Sequence, residues 1–370
     1  MANTLEAALK EAGNNLGLRN AIFSALAKAE KESQQPAIFR HEVRWPIIEA
    51  VLGGNSHRIT LQNGLTYEIW PQSRIEQALL LSLDEVPDHI WEPQTTRLAC
   101  LLAKDCKNVV VGGAYIGDQA LPVAKVLQTN GLNGFVFAFE PSPDAVKQFQ
   151  RNIEINAIRN VKPERMALWD QAGIEMQFQG EPALVSVVSE NEAQDGASFN
   201  VVTTTISEYL KEQGETSVGL IMLDTEGAEL QALSGAQPML ESESPEAPHI
   251  IFEVHSEHVD LRAGLGNVPT VKYLLSLGYD IYAIRDLHGH LSMEKRKIEI
   301  IPLEDVYVVN VPHGFNMLAT KDKELVSRHG LVVAKNVSPK LLSPKNIYLP
   351  YPPKDPSLHL PLDGMGLDLF

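Results

Sequence analysis

Between residues 108 and 311 the chain repeats one pattern: a short, nearly unbroken apolar run, a loop, then a longer stretch with helical periodicity. The runs fall at 109–112, 134–139, 161–167, 218–224, 250–254 and 279–284, and the helical stretches at 119–129, 144–155, 229–240 and 270–277. Runs this short and this apolar read as strands buried on both faces, because a strand with one face in water would alternate. Parallel strands need crossovers of a dozen residues or so, and helices supply them with a right-handed turn. The pattern therefore predicts a doubly wound, mostly parallel α/β sheet with helices on both sides. A last run at 305–310 (DVYVVN) is expected to close the sheet edge.

The flanks read differently. Residues 5–12 and 21–31 have helical periodicity, are separated by the breaker GNNLG, and are followed by a loop at 33–36. The string HRITLQNGLTYEIW at 57–70 alternates on both sides of Asn63-Gly64, which predicts a hairpin whose two turn residues take positive φ. A helix is expected at 93–104, with Pro93 in its first turn and Leu98, Leu101 and Leu102 on one face. Residues 171–202, with β-like pieces at 174–178 and 184–188, read as an insertion over the sheet. After residue 311 the chain reads as irregular, with one helix at 321–328 and a proline-rich end that cannot build a core of its own. The expected division is an N-terminal helical and hairpin extension over 1–92, the sheet domain over 93–312, and an irregular tail over 313–370.

Charge narrows the partners. Asp and Glu number 47 against 31 Lys and Arg, a net −16 over 370 residues, which repels phosphate backbones and anionic lipid heads. No basic patch is evident along the sequence, so neither nucleic acid nor a membrane surface is expected as a partner. Cys100 and Cys106 are the only cysteines, too few for a thiolate metal site or a disulfide framework. The first residues, MANTLEAALKEAG, lack a basic start and an apolar run, and no stretch reaches the 18 to 20 apolar residues of a membrane span. A cytoplasmic protein is expected.

In a doubly wound sheet, ligands bind beyond the carboxyl ends of the strands. The first strand runs into Gly112-Gly113-Ala114-Tyr115-Ile116-Gly117-Asp118, whose glycines allow a tight turn and close approach of backbone to a ligand. The dinucleotide fingerprint G-x-G-x-x-G is not met there, which disfavours a nicotinamide-dependent oxidoreductase. The second strand ends in Phe139-Glu140-Pro141-Ser142, with Glu140 23 positions after Gly117, near the spacing of an acid that binds ribose hydroxyls. Glu140 alone would equally suit a helix N-terminus. Ala167 and Leu168 end the third run. The fourth runs into LIMLDTEGAEL, crowding Asp224, Glu226 and Glu229 into six residues, and the fifth ends IIFEVHSEH, with Glu253 and His255 expected on one face beside Asp224. Carboxylates gathered without a basic partner raise one another's pKa and cost stability unless they hold a cation or a proton.

The order GGAYIGD, FEPSP, ALWD, TISEYL, LDTEGAEL and IIFEVH resembles the FkbM family of S-adenosylmethionine-dependent methyltransferases over residues 108–255. The resemblance implies a class I, Rossmann-like methyltransferase fold. It implies Gly113, Ala114, Tyr115, Gly117 and Asp118 around the methionine part of the cofactor, Glu140, Pro141 and Ser142 near its ribose, and Ala167 and Leu168 near adenine. The chain departs from the family's usual pattern at Val111, Tyr115 and Met222, where Asp, Asn and Lys are expected.

Methyl transfer from a sulfonium needs the nucleophile held in line about 3 Å from the methyl and relieved of its proton. Asp224, Glu226, Glu253 and His255 are the candidates for that work, His255 being the natural proton acceptor near neutral pH. A divalent metal on Asp224, Glu253 and His255 is conceivable, but no metal is assigned from the sequence. The expected acceptor is a hydroxyl of a sugar or other natural product. The nearest alternative is an asparagine amide nitrogen in a ribosomally made peptide, an activity also associated with the family. A catalytically decayed binding or scaffold protein on the same fold is the alternative of another class. The flanking segments would suit either an extended acceptor or a homodimer interface.

Overall fold

The computed structural model describes residues 2–81, 91–180, 186–187, 198–287, 293, 295–308 and 314–340. The proline-rich stretch after residue 340 lies outside them, as does most of 184–188. The N-terminal extension is helical beyond the two expected segments. Helices α1 (Ala2–Gly13) and α2 (Leu16–Glu32) flank the GNNLG break, with Asn15 capping α2 through its side chain. They are followed by α3 (Pro36–Phe39), one π-helical turn at Arg40–Arg44, and α4 (Trp45–Leu52). The fully buried Glu30 of α2 holds this turn by ion pairs to Arg40 and Arg44, and Arg44 also donates to the carbonyls of Leu80 and Leu81. A buried carboxylate is tolerable only because both oxygens are paired in this way.

The hairpin forms from β1 (His57–Thr60) and β2 (Thr66–Ile69), but its turn is not the expected one. Only Gly64 takes a positive φ, +78°; Gly64 N–H donates to Leu61 O and Leu61 N–H to Leu65 O. This is a three-residue loop, a type I turn closed by a left-handed glycine, rather than a two-residue turn. Helix α5 (Arg74–Leu80) follows, started by a capping box between Ser73 and Glu76.

The chain then enters the sheet domain through α6 (Pro93–Ala103) and lays down β3 (Val109–Gly112), α7 (Ala120–Leu127), β4 (Val136–Phe139), α8 (Pro143–Ile155) and β5 (Val161–Glu164). The third expected strand stops three residues early. Ala167–Leu168 (β6) pairs with a different, smaller sheet formed with β7 (Glu175–Gln179), β8 (Ser186–Val187) and β9 (Ser198–Thr204). After α9 (Ile206–Glu212) come β10 (Leu220–Leu223), α10 (Glu229–Ser234), α11 (Gln237–Leu240), β11 (His249–Val254), α12 (Pro269–Ser276) and β12 (Asp280–Ile284). The single helix expected at 229–240 is broken at Gly235, where a Cβ would lie 2.2 Å from Trp169 O.

Among the described residues the main sheet has nine strands and continues past residue 312. It adds β13 (Glu299–Pro302), β14 (Phe315–Thr320) and, after α13 (Leu325–His329), β15 (Val332–Val333). Strands β5, β4, β3, β10 and β11 lie side by side and parallel; β14 inserts antiparallel between β11 and β12. The run expected to close the edge is not a strand over its described part. It holds the end of a 3-10 turn (Leu303–Asp305) and one bridge from Val306 to Val337. The strand that was not anticipated, β14, is buried along its whole length.

Successive residues of each central strand serve opposite cores, as the pleat requires. Val109, Val111, Leu220, Met222 and Ile251 pack against α6, α7 and the hairpin, whereas Val110, Phe137, Ile221, Leu223 and Phe252 pack against α9, α10 and α12. This is the doubly wound, class I Rossmann-like arrangement.

The extension is tied to this sheet by two asparagines one turn apart on α8. Asn156 donates to Thr66 O and accepts from Thr66 N–H, at 2.7 and 2.8 Å, imitating the next strand for β2. Asn152, fully buried, accepts from Glu68 N–H and donates to Ile116 O. Replacing Asn152 by Ala leaves a buried donor and acceptor unmet at once, so Asn152→Ala should cost about 2–4 kcal/mol, read from the midpoint of denaturant unfolding. A loss no larger than that of an exposed control, such as Asn267→Ala, would show that the asparagine does not carry this joint.

Candidate active site

The site is built where β3, β4, β10 and β11 end side by side. The loop after β3 turns through Gly113, Tyr115 and Gly117, at φ of +74°, +44° and +87°. Packing against the chain itself demands both glycines: a Cβ on Gly113 would sit 1.7 Å from Asp224 O, and one on Gly117 2.3 Å from the Phe149 ring. Tyr115 is a non-glycine residue in a left-handed conformation, and its side chain leaves the site. The phenol is buried and donates to Ser73 Oγ (2.7 Å) and Glu76 Oε2 (3.1 Å) in the N-terminal extension. What Tyr115 offers the site is its N–H, which donates to Glu140 Oε2 at 2.8 Å.

Glu140 is 4 % exposed at the end of β4, and its other oxygen accepts from Ser142 N–H at 2.8 Å. Burial and the charge of Asp118 outweigh these two bonds and push its carboxyl up to about 7. Each oxygen keeps a lone pair for a further donor. Ser142 caps α8 through Ala145 N–H, Pro141 is half-buried, and Asp118 and Ala114 are buried in the loop. Ala167 and Leu168 are buried, with Leu168 Cδ1 lying 2.9 Å from where a Cβ on Gly112 would be.

Opposite this loop stand the carboxylates. Asp224, Glu226 and Glu253 each present an oxygen such that all three lie within 4.8 Å of one another. Asp224 is placed by the end of β10, its N–H donating to Gly112 O, and Glu253 by β11. Glu226 has a φ of +50° and precedes Gly227 at +98°, a strained turn for a non-glycine residue. Glu229 does not join the cluster: its Oε1 accepts from Thr225 N–H, Thr225 Oγ1 and Gly227 N–H, and so holds the turn. Burial and mutual repulsion hold Asp224 and Glu253 well above the usual carboxylate range, and Glu226 above it.

Two basic side chains reach this group, and neither was foreseen. His258 Nε2 lies 3.2 Å from Glu226 Oε2. Lys340, 7 % exposed, is carried in by a backbone bridge to Asp286 and lies near enough to lower the Glu253 carboxyl, while Glu92, Glu253, Asp286 and Asp224 oppose the loss of its own charge. Burial still leaves the ammonium easier to deprotonate than usual. Asp286 itself accepts from Gln94 N–H and Thr95 N–H, fixing the start of α6. Three carboxylates so placed could span a divalent ion, but such groups are common without one. His255, expected beside Asp224, is not a member of the carboxylate group. Its Nδ1 accepts from Glu257 N–H at 3.1 Å and its ring lies 5.3 Å from that of His258.

Comparison with known proteins settles the class. The model of the methyltransferase FkbM domain matches residues 112–282, from the glycine loop to β12. The chain carries an FkbM methyltransferase domain. It is an S-adenosylmethionine-dependent methyltransferase. Among solved structures, it is similar to a precorrin-6y C5,15-methyltransferase from Geobacter metallireducens, at 13 % identity over 60 % of this chain and 87 % of that one, TM-score 0.33. A putative O-methyltransferase from Klebsiella pneumoniae matches at 14 % identity over 62 % and 80 %, TM-score 0.34. An S-adenosylmethionine-dependent methyltransferase from Agrobacterium tumefaciens matches at 9 % over 73 % and 71 %, TM-score 0.38. Likeness at these values transfers neither substrate nor site. No curated protein sequence matches the chain.

The FkbM domain thus contains the glycine loop, Glu140 and the carboxylates, while Lys340 and Glu92 come from outside its matched span. No local signal in the sequence marks Lys340; it arrives by tertiary packing alone.

The raised carboxyls set a pH dependence. Below the ordinary carboxylate range Asp224 is protonated in folded and unfolded chains alike. As pH rises, the unfolded chain releases the proton first, so stability falls until the folded-state pKa is passed. Asn cannot ionise, and no hydrogen bond to the Asp224 side chain is lost among the described residues. Asp224→Asn should therefore lose less stability between pH 4 and pH 8 than the wild type, and be more stable by roughly 1 kcal/mol at the upper end. Thermal unfolding across that range measures it; parallel curves would refute the assignment of strain to this group.

Proposed function

We propose that the FkbM domain moves a methyl group from S-adenosylmethionine to a hydroxyl oxygen of a natural-product acceptor, with Asp224, Glu226 and Glu253 facing the acceptor. The observation that carries this reading is the meeting of the three carboxylates at the ends of adjacent strands, with Asp224 O packed against Gly113 of the cofactor-type loop. The residues present suit the cofactor. Glu140 has acceptor capacity for ribose hydroxyls, and the acidic group favours a cationic sulfonium. When bound, S-adenosylmethionine supplies a methyl made electrophilic by the positive sulfur.

The chain's own work is positioning and proton handling. A hydroxyl oxygen keeps its lone pairs available for attack, whereas an amide nitrogen shares its pair with the carbonyl. A carboxylate whose pKa is raised is a stronger base than an ordinary one, so Asp224 or Glu253 can accept the hydroxyl proton as the oxygen–methyl bond forms. Lys340 moderates that basicity at Glu253 and His258 at Glu226. His258, bonded to Glu226, offers an onward route for the proton, a role expected from the sequence for His255.

Glu140→Ala should weaken S-adenosylhomocysteine binding by about tenfold or more in titration calorimetry, the loss expected for charge-assisted hydrogen bonds. Asp224→Asn should leave that affinity within about twofold while lowering turnover by about 10²-fold or more, the range of a lost general base. Incubation with labelled S-adenosylmethionine and candidate acceptors, followed by mass spectrometry, identifies the atom methylated. Full turnover in Asp224→Asn and Glu253→Gln, or a methyl found on nitrogen, would overturn the reading.

A further inference from the structure

An open concavity of about 860 Å³ lies between α6 and α7, bordered by residues 295–298, 329–331 and the hairpin turn at Asn63. Its walls carry Arg97, Lys104, Lys125, Lys295, Arg296 and Lys297, with His329 at one end, and among the described residues its lining includes no Asp or Glu. In a chain of net −16, such a gathering runs against composition. It also corrects the expectation that no basic patch exists: the Lys and Arg side chains come from three separate stretches that the fold brings together.

These cations do not share one role. Arg97 Nη1 donates to Gln94 Oε1 and to the carbonyls of Met293 and Arg296, which clamps the 293–296 turn onto α6. Lys125 donates to Asn63 O and pins the hairpin turn. His329 lies 3.7 Å from the exposed Asp105. Lys104, Lys295 and Lys297 are exposed, and their ammonium groups make no ion pair or hydrogen bond with any described residue. Below the cations, Leu101, Pro122, Val126, Ile298 and Leu331 contribute apolar surface.

We propose that this groove binds a small polyanion, a ligand carrying two or more phosphate groups on a body small enough for the cavity. Cations of one sign held together in a concavity repel one another and focus a positive potential, which a multiply charged anion relieves. The volume falls in the range of small-ligand sites. A long nucleic acid would gain from the same lysines but would also run over the acidic remainder of the chain, whereas a compact anion is neutralised inside the groove. The apolar surface between the charges leaves room for a ring or short chain attached to the phosphates. The site is separate from the carboxylate group, although α6 borders both: its first turn is held by Asp286, and Gln94 Nε2 donates to Lys297 O.

Calorimetric titration of the full chain with inorganic tripolyphosphate at low ionic strength, in excess S-adenosylhomocysteine to keep the candidate cofactor site filled, tests this. One saturable site per chain is expected, with inorganic phosphate binding more weakly. The triple variant Lys104→Gln, Lys295→Gln, Lys297→Gln should bind tripolyphosphate at least about tenfold more weakly while keeping the wild-type affinity for S-adenosylhomocysteine. Should the triple variant not fold, Lys295→Glu alone reports the same loss. Absence of saturable binding, or equal affinity in the variants, overturns the proposal. So does a single-stranded RNA or a poly-glutamate peptide that binds more tightly than tripolyphosphate and loses that binding in the triple variant.

Discussion

The close packing of Gly113 on the carbonyl of Asp224 governs the rest of the site. Two neighbouring parallel strands, β3 and β10, each end in a loop, and the loops touch with no room for a side chain at Gly113. That contact accompanies left-handed backbone at Gly113, Tyr115 and Gly117, and it places Asp224 at the carboxyl end of β10, directly behind the loop. The glycines are commonly read as making way for a ligand. Here the chain itself fills the space they leave, and the ligand-facing consequences are second-order: Tyr115 N–H turns onto Glu140, and the carboxylates of 224 and 226 turn outward.

The acidic group is then an electrostatic compromise. Three carboxylates within one ion's reach repel and resist desolvation, which raises Asp224 and Glu253. A metal or a bound sulfonium could offset that repulsion, but the chain already brings in Lys340 from beyond the FkbM span and His258 from the loop after β11. The family's usual lysine position is occupied by Met222, whose side chain lies in the apolar core on the α6 and α7 side of the sheet. A cation delivered by a later segment can do what a strand residue facing that core cannot. It also means that the last described residues, far from being an appendage, bear on the chemistry.

How far the sequence could be read follows from where each decision is made. Near-continuous apolar runs mark β3, β4, β10, β11 and β12 because burial on both faces is a local demand on composition. The order of the sheet is not local. FNMLAT at 315–320 contains Asn316 and follows a Pro-His-Gly, yet it is drawn between β11 and β12, where Asn316 pairs with Glu253 across the ladder and donates to the buried Glu92. DVYVVN looks the better strand and, in its described part, makes only one bridge. Of the two histidines in the HSEH string, strand alternation points to His255. Period-two reasoning ends with the strand at Val254, and the turn that follows sends His258, not His255, to Glu226. Tyr115 was conspicuous as a residue, but that its side chain would serve the extension rather than the pocket depends on Ser73 and Glu76, about forty positions upstream.

Net charge shows the same limit in another form. A sum of −16 argues against anionic partners only if the charges are spread evenly, and here they are segregated. The acids crowd the carboxyl ends of β10 and β11, while the cations line a groove between α6 and α7. At physiological ionic strength screening cuts a surface potential off within about 8 Å, so opposite potentials further apart than that act almost independently. One molecule can therefore present a site that favours a cationic sulfonium and another that favours a polyanion, and α6 is the element common to both. A ligand that pulled on Lys297 would pull, through Gln94, on the helix start that Asp286 anchors. A short chain of hydrogen bonds thus runs from the groove to Asp286, whose backbone bridges to that of Lys340.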